Sequence, residues 1–474
     1  MKNIERPAMV NYKKMSLYYM FGTLFNQGLS FLTIPFFSRM LTTFDYGIIN
    51  TYTSWVAILF MITSCALHMG IRAEFVDNEK NIDGVMSSVT SFTLLNSFIV
   101  SVIILVGAYI FGNGNILLIV FCLIQSIATG LINNYTMYLM MQYRYKFRTF
   151  LLVVPNLLAI TVAFILIIFI LKSDLYFGRI IPWSLVQGLF GILIIWLVYS
   201  KSQVFWNKKY IKSALAISMP LVLHGIAINI LSQSDRVMIT ALRNASETGI
   251  YSLVYNLGML AIVITYSMEG VWVPWFTRRL KEGEEAVVND RAKIYIELIA
   301  LAMGLLILIG PEVIRILSDS KYWEGITIIP PIILANYLMF AETLYVNVEH
   351  FYKKSLSITF NTTVAAAVNI VANFLFIPQY GYVAAAYTTL FSYIVSFLLH
   401  ANYSKKLNSS LYPLIYFSAS FLKLSIIMIL FYVFFGNIII RWLIAFCLFI
   451  YEVFRFKEVI LSLLPSSIRN KFCK

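Results

Sequence analysis

Ile34-Pro35-Phe36-Phe37-Ser38-Arg39, followed after a short link by Asp45-Tyr46-Gly47-Ile48-Ile49, closes one apolar segment and opens the next. An arginine stands where the first segment leaves its apolar surroundings, a polar link turns the chain, and a glycine starts the second segment. The pattern returns later in the chain. Asp235-Arg236 ends an apolar segment, and Glu247-Thr248-Gly249-Ile250-Tyr251 opens another. The two glycines are 202 residues apart, a length that holds six membrane helices of roughly 20 residues with their links. The chain therefore reads as two related bundles, each starting with this unit.

Composition agrees. Of the 474 residues 60% are hydrophobic and 12% charged, too little polar surface to cover a water-soluble domain. Apolar stretches long enough to cross a bilayer fall at 16–37, 47–69, 85–111, 116–141, 150–171, 180–199, 213–234, 250–272, 294–316, 326–348, 357–377, 380–400, 413–435 and 438–456. Fourteen is an even number, so both termini belong on one side. Lys and Arg concentrate at the ends that a cytoplasmic amino terminus places inside, which predicts both termini inside. The same bias explains the net charge of +14. Runs such as Arg144-Tyr145-Lys146-Phe147-Arg148 suit anionic headgroups, and no nucleic-acid partner is expected.

Other classes are disfavoured. Lys2, Arg6, Lys13 and Lys14 are followed by no small-residue cleavage site after a short apolar core, so no removable signal peptide is expected. The four cysteines, Cys65, Cys122, Cys447 and Cys473, lack metal spacing and argue against a zinc site or a disulfide framework. No GxxxxGK[ST] loop is present, and no long external segment offers the acidic or arginine-rich residues of a membrane transferase. Prolines at 35, 155, 182, 220, 274, 311, 330 and 331 mark helix ends or kinks.

Ionisable groups inside spans cost roughly 2.5–3.5 kcal/mol each at the centre and so face protein or water. Taking His224 as origin of a helical wheel over the seventh span, Asp235 lies at about 20°, Ser232 at about 80°, Arg236 at about 120°, Asn229 at about 140° and Gln233 at about 180°. One half of that helix carries nearly all its polar groups. In the eighth span Tyr251, Tyr255, Gly258 and Glu269 share a narrow face, and in the tenth Glu342, Tyr345 and Glu349 share a broader one. The first span adds Asn26, Ser30 and Thr33. Such stripes suit a hydrated cavity. Plainer roles suit the same residues: an interfacial ion pair or cap for Asp235 and Arg236, anchoring for Arg39, solvent exposure for Glu269, packing for His224.

Three motifs carry a resemblance by their order. They are Pro35-Phe36-Phe37-Ser38-Arg39-Met40-Leu41 with Tyr46-Gly47, Ser234-Asp235-Arg236 with Thr248-Gly249-Ile250-Tyr251, and Asn369 to Asn373 with Ile377-Pro378-Gln379-Tyr380-Gly381-Tyr382-Val383-Ala384-Ala385-Ala386. Together they resemble the polysaccharide transporter family of O-antigen and repeat-unit flippases, within the multidrug, oligosaccharidyl-lipid and polysaccharide exporter superfamily. The resemblance implies an all-α polytopic membrane protein of two six-helix lobes about a pseudo-two-fold axis, plus two carboxy-terminal helices. On this sequence the division is 1–200, 201–412 and 413–474.

The implied activity is alternating-access transfer of undecaprenyl-diphosphate-linked oligosaccharide repeat units, precursors of O-antigen or capsular polysaccharide. Transfer runs from the inner to the outer leaflet of a bacterial cytoplasmic membrane. A polysaccharide polymerase and a chain-length regulator are the implied partners. No cofactor or metal is expected; coupling to protons or sodium is left open. Arg39 and Arg236, at corresponding places in the two repeats, are the candidate diphosphate ligands. His224, Asn229, Asp235, Tyr255, Glu269 and Glu342 are the candidate cavity or ion-coupling residues. A multidrug exporter of the same superfamily is the alternative, and a membrane glycosyltransferase or polymerase the more distant one.

Overall fold

A computed structural model of the chain describes residues 12–456 apart from 79, 80, 113, 114 and 203. Lys2, Arg6, residues 113 and 114 and those from 457 on, with Cys473, lie outside the described residues, as do the side chains of Lys13, Lys14 and Ser30. The described elements are all helical: α1 (Tyr12–Met40), α2 (Thr43–Ser64), α3 (Leu67–Asp77), α4 (Ile82–Phe111), α5 (Ile116–Met141), α6 (Tyr145–Ile165), α7 (Phe177–Tyr199), α8 (Lys208–Leu242), α9 (Ala245–Lys281), α10 (Glu285–Leu317), α11 (Ile329–Phe351), α12 (Ser355–Leu407), α13 (Leu414–Val433) and α14 (Ile438–Arg455). Each expected span falls on one of these helices, but not one to one.

Two spans depart from expectation. The span expected over 47–69 is broken, because Cys65 and Ala66 both adopt left-handed backbone (φ 48° and 45°) between α2 and α3. The break frees carbonyls that Asn96 collects, its Nδ2 donating to the oxygens of Ile62 and Thr63 at 2.9 Å each. The expected link at Pro378-Gln379-Tyr380 is instead helical, and α12 departs from helical geometry at Gly381 (φ 60°, ψ −147°). Among the described residues nine helices are long and apolar enough to cross a membrane, or ten if α8 is counted across its 45° bend. The count falls below fourteen partly because α12 holds two spans and α14 carries Arg441, Glu452 and Arg455.

Burial runs opposite to that of a water-soluble protein. Phe98, Ile103, Ile110 and Phe111 of α4 lie exposed, while Ser54, Thr90, Ser97, Ser126, Asn134 and Ser184 are buried. Apolar side chains facing outward and hydroxyls facing inward fit lipid as the surrounding medium. This is a multi-pass membrane protein.

Packing divides the chain into two compact units, 1–252 with 355–382 and 253–354 with 383–474. The division does not follow the repeat boundaries at 200 and 412, since α8, the first turns of α9 and the first half of α12 belong with α1–α7. In the first unit α2 packs on α5 and α8, α5 on α7, and α1 on α6. Its core gathers Leu67, Ile71, Val85, Val89, Tyr135 and Leu139.

In the second unit α11 is the central helix, buried on nearly all sides, with α10 and α13 against it and α14 on α10. Ion pairs fasten the last two helices. Arg441 of α14 is fully buried and grips Glu312 of α10 with both terminal nitrogens (2.5 and 3.2 Å), and it also donates to the Leu308 carbonyl at 2.9 Å. Lys423 of α13 meets Glu452 of α14, and Arg455 donates to Glu297 of α10 at 3.0 Å. Two parallel bonds from a planar guanidinium fix orientation as well as contact.

Candidate functional site

The quoted stretch and its later counterpart meet each other in the first unit. Thr42 caps α2: its hydroxyl accepts from Asp45 N at 3.0 Å, and Asp45 Oδ2 accepts from Thr42 N at 3.2 Å. Asn244, 202 residues on, does the same for α9, its Oδ1 accepting from Glu247 N at 2.9 Å. Each acidic residue also reaches the start of a second helix. Asp45 Oδ1 accepts from Tyr176 N (3.2 Å), just before α7, and Glu247 Oε2 accepts from Tyr382 N (3.1 Å), just after the Gly381 break. Arg243 holds Glu247 from the other side at 3.0 Å. Negative charge at helix amino termini is favoured there by the unpaired amides.

Between these caps the first turns of α2 and α9 cross at their glycines. A methyl group on Gly47 would stand 1.7 Å from the Ala245 oxygen, and one on Gly249 would stand 2.0 Å from the Thr43 oxygen. No side chain fits at either place. Small residues permit this backbone approach, as in other membrane helix contacts.

A polar chain extends from the crossing. Thr51 and Thr240 hydroxyls are 2.6 Å apart, and Thr240 lies 2.7 Å from Thr248. Ser54 donates to Gln233 Oε1 at 3.1 Å, and Arg236 donates to the same oxygen at 2.9 Å and to the Ser232 carbonyl at 3.0 Å. Asp235, 1% exposed, accepts from Tyr251 at 2.5 Å and from Asn373 at 2.7 Å. Asn369 Oδ1 accepts from Asn373 at 3.1 Å and from Ser234 at 2.8 Å. Hydrogen bonds to a buried carboxylate are worth about 1.5–3 kcal/mol each, so Asp235 anchors α8 to α9 and α12.

The candidate residues therefore separate. Arg39 and Arg236 share a posture, each donating to the carbonyl four residues back; Arg39 reaches Pro35 at 2.9 Å. They differ in burial, Arg39 being exposed and Arg236 buried. Asn229 is half-buried and bonds the Gly225 carbonyl of its own helix at 2.8 Å, and His224 is half-buried on α8. The polar half of α8 faces protein where Asp235 and Arg236 lie, while Leu223 and Ile228 are exposed. Tyr255, Glu269 and Glu342 belong to the second unit: Tyr255 is buried, Glu269 and Glu342 half-buried. The stripe read on the eighth span thus crosses from one unit to the other. Sequence reasoning missed Asn373 as a partner of Asp235 and Asn369 as a partner of Ser234 and Asn373, although both stand in a motif it singled out.

Replacing Asp235 by alanine leaves Tyr251 and Asn373 as buried donors without this acceptor, at about 1–3 kcal/mol for each. Asp235→Ala should lower the thermal unfolding midpoint in detergent clearly more than Asp235→Asn, which keeps an acceptor oxygen. Equal midpoints for the two variants would contradict this role.

The family model described as polysaccharide biosynthesis protein matches residues 13–279, more than half of the chain. The chain belongs to that family. Its Haemophilus influenzae relative, Lsg locus protein 1, is 24% identical over 355 residues, covering 69% of this chain and 84% of that protein. Among solved structures the chain resembles the lipid II flippase MurJ in an inward closed conformation, with TM-score 0.67 and 16% identity over 94% of this chain and 99% of that one. It also resembles an inward-facing multidrug resistance MATE transporter of the MOP superfamily, with TM-score 0.56 and 14% identity over 80% and 99%. These likenesses show the fold, the two-lobe all-helical membrane architecture expected from the sequence. The family member is accordingly a multi-pass membrane protein of the polysaccharide biosynthesis family.

Proposed function

We propose that this family member flips undecaprenyl-diphosphate-linked oligosaccharide repeat units, O-antigen or capsule precursors, from the inner to the outer leaflet of a bacterial cytoplasmic membrane. The observation that carries the reading is the conjunction of a polysaccharide biosynthesis family match with whole-chain likeness to a flippase fold. The cargo chemistry follows from the barrier. A diphosphate and its glycan must pass about 30 Å of hydrocarbon, while the polyprenyl tail stays in lipid.

In this reading Arg39 and Arg236 receive the diphosphate. Of the bonds Arg236 makes, those to Gln233 and to the Ser232 carbonyl go to neutral acceptors. A diphosphate replaces them with charge-assisted, bidentate bonds. The lobes are the repeats, 1–200 and 201–412, with 413–474 appended, and they rock to expose a cavity to each side in turn. Corresponding caps at Asp45 and Glu247 and the glycine crossing support that repeat. His224, Asn229, Tyr255 and Glu269 line the path, and both termini lie in the cytoplasm. A cation moving down its gradient drives the cycle, one charge across 100 mV supplying about 2.3 kcal/mol. In this reading Asp235, Glu269 and Glu342 are the carboxylates that respond to it. The polymerase and the chain-length regulator take the product on the outer side.

Deleting the gene in its native host tests the reading. The expected result is lost surface polysaccharide with complete lipid-linked repeat units accumulating in the inner leaflet, both reversed by a plasmid copy. Unchanged polysaccharide with heightened sensitivity to cationic drugs would replace this reading with a multidrug exporter.

A further inference from the structure

One cluster of ionisable groups stands apart from the polar chain around Asp235. In the second unit, Glu342 and Glu349 are seven residues apart on α11, which puts them on one face two turns apart. Facing them on α12 are Ser396 and His400, four residues apart and also on one face. His400 Nδ1 lies 2.7 Å from Glu349 Oε1, and these two residues are 1% and 0% exposed. Ser396 lies against Glu342.

The hydrogen bonding leaves a gap. Glu349 Oε2, Glu342 Oε2 and Ser396 Oγ are buried atoms without a hydrogen-bond partner among the described residues. Neither carboxylate forms an ion pair with Lys or Arg there; His400 is the basic partner of Glu349. Holding charge together on the buried Glu349 carboxylate, the half-buried Glu342 carboxylate and one imidazole is costly in a low-dielectric interior. With the imidazole charged the cluster still holds one negative charge more than positive, and proton binding removes that excess.

Among the described residues, His350 beside Glu349 is the other basic group that faces the cluster, and the remaining neighbours are engaged elsewhere. On α11 Tyr345 spends its hydroxyl on the Tyr412 carbonyl at 2.8 Å, and His350, next to Glu349, is exposed. On α12 Tyr393 donates to the Met339 sulfur at 3.6 Å. From α10 come Tyr295, packed edge-on against Phe340, and Glu297, which is taken by Arg455. From α13 comes Lys423, taken by Glu452. Among the described residues no group of His, Cys, Asp and Glu is placed to hold a metal ion.

We propose that Glu342, Glu349 and His400 form a proton-binding site, with exposed His350 as its route to water and Glu342 as its inner end. The ligand is the proton itself. One proton resides on the His400–Glu349 pair, and a second, taken up on acidification, converts a carboxylate to a carboxylic acid whose O–H fills one of the unpartnered positions. Because the pair joins α11 to α12, the number of protons bound alters the attraction between those helices. This deepens the flippase reading by naming the coupling ion and its site.

Infrared difference spectra of the full chain in lipid nanodiscs, recorded between about pH 5 and pH 8 where imidazole and buried carboxyl groups titrate, test the site without any cargo. A protonated-carboxyl band is expected to grow on acidification in the parent protein and to be lost in Glu342→Gln or in Glu349→Gln. His400→Asn should move its midpoint. Glutamine keeps the size and an acceptor, and the backbone amide band of the same spectra reports whether each variant is folded. The same pH-dependent band in folded forms of both glutamine variants would overturn the proposal. So would a spectrum that responds to sodium and not to pH. If gene deletion leaves the polysaccharide unchanged while the band behaves as expected, the cargo assignment fails and the proton site stands.

Discussion

Arg441→Ala is expected to destabilise the second unit by up to about 3 kcal/mol, the low end of the cost of breaking a buried pair, because Glu312 is left as a partly buried carboxylate without its partner. The Leu308 carbonyl loses a donor as well. In thermal unfolding of the purified protein the variant should melt well below the parent or fail to accumulate. The companion variant Arg441→Met with Glu312→Leu removes both charges and keeps apolar volume, and its melting point should return most of the way. A double variant no more stable than the single one would show that the pair itself, and not the stranded charge, sets the stability. α13 and α14 therefore stay attached through charge pairing and not through apolar packing alone, since lipid competes for apolar faces as well as α10 does.

Gly47→Val and Gly249→Val are expected to behave alike, despite being 202 residues apart. Each drives a side chain into a backbone oxygen that cannot rotate away, at 1.7 Å from Ala245 and 2.0 Å from Thr43. Overpacking of this kind costs about 1–3 kcal/mol once the helices have separated. Both variants should lower the unfolding midpoint and, on the flippase reading, reduce surface glycan. Gly107→Val in α4 is the control, because nothing lies within 4 Å of the added group. Unequal effects at Gly47 and Gly249 would argue against a shared crossing.

The fold was legible wherever a single helix decides it. Apolar length placed the helices, and the recurrence of Asp45-Tyr46-Gly47 as Glu247-Thr248-Gly249 disclosed the repeat. Breaks were harder to see. The stop at Cys65–Ala66 uses no glycine or proline, and its carbonyls are satisfied by Asn96, thirty-odd residues on. The wheel over the seventh span found Asp235 because a charge at that depth needs partners, but partners come from other helices, and period alone cannot name Tyr251 or Asn373. Arg39 and Arg236 looked equivalent in sequence and keep the same local bond, yet only the second is buried, because burial is set by neighbours and not by register. The His400–Glu349 pair joins residues 51 positions apart and had no local signal at all.

The glycine crossing has one more property. Gly47 rests on the Ala245 oxygen and Gly249 on the Thr43 oxygen, and the 202-residue offset converts either statement into the other. Such a contact is isologous: one patch meets its own copy, so it closes at two members and cannot propagate into a filament. A single repeat carries everything needed to make it. The two halves of this chain thus meet here as two copies of one subunit would meet in a closed dimer.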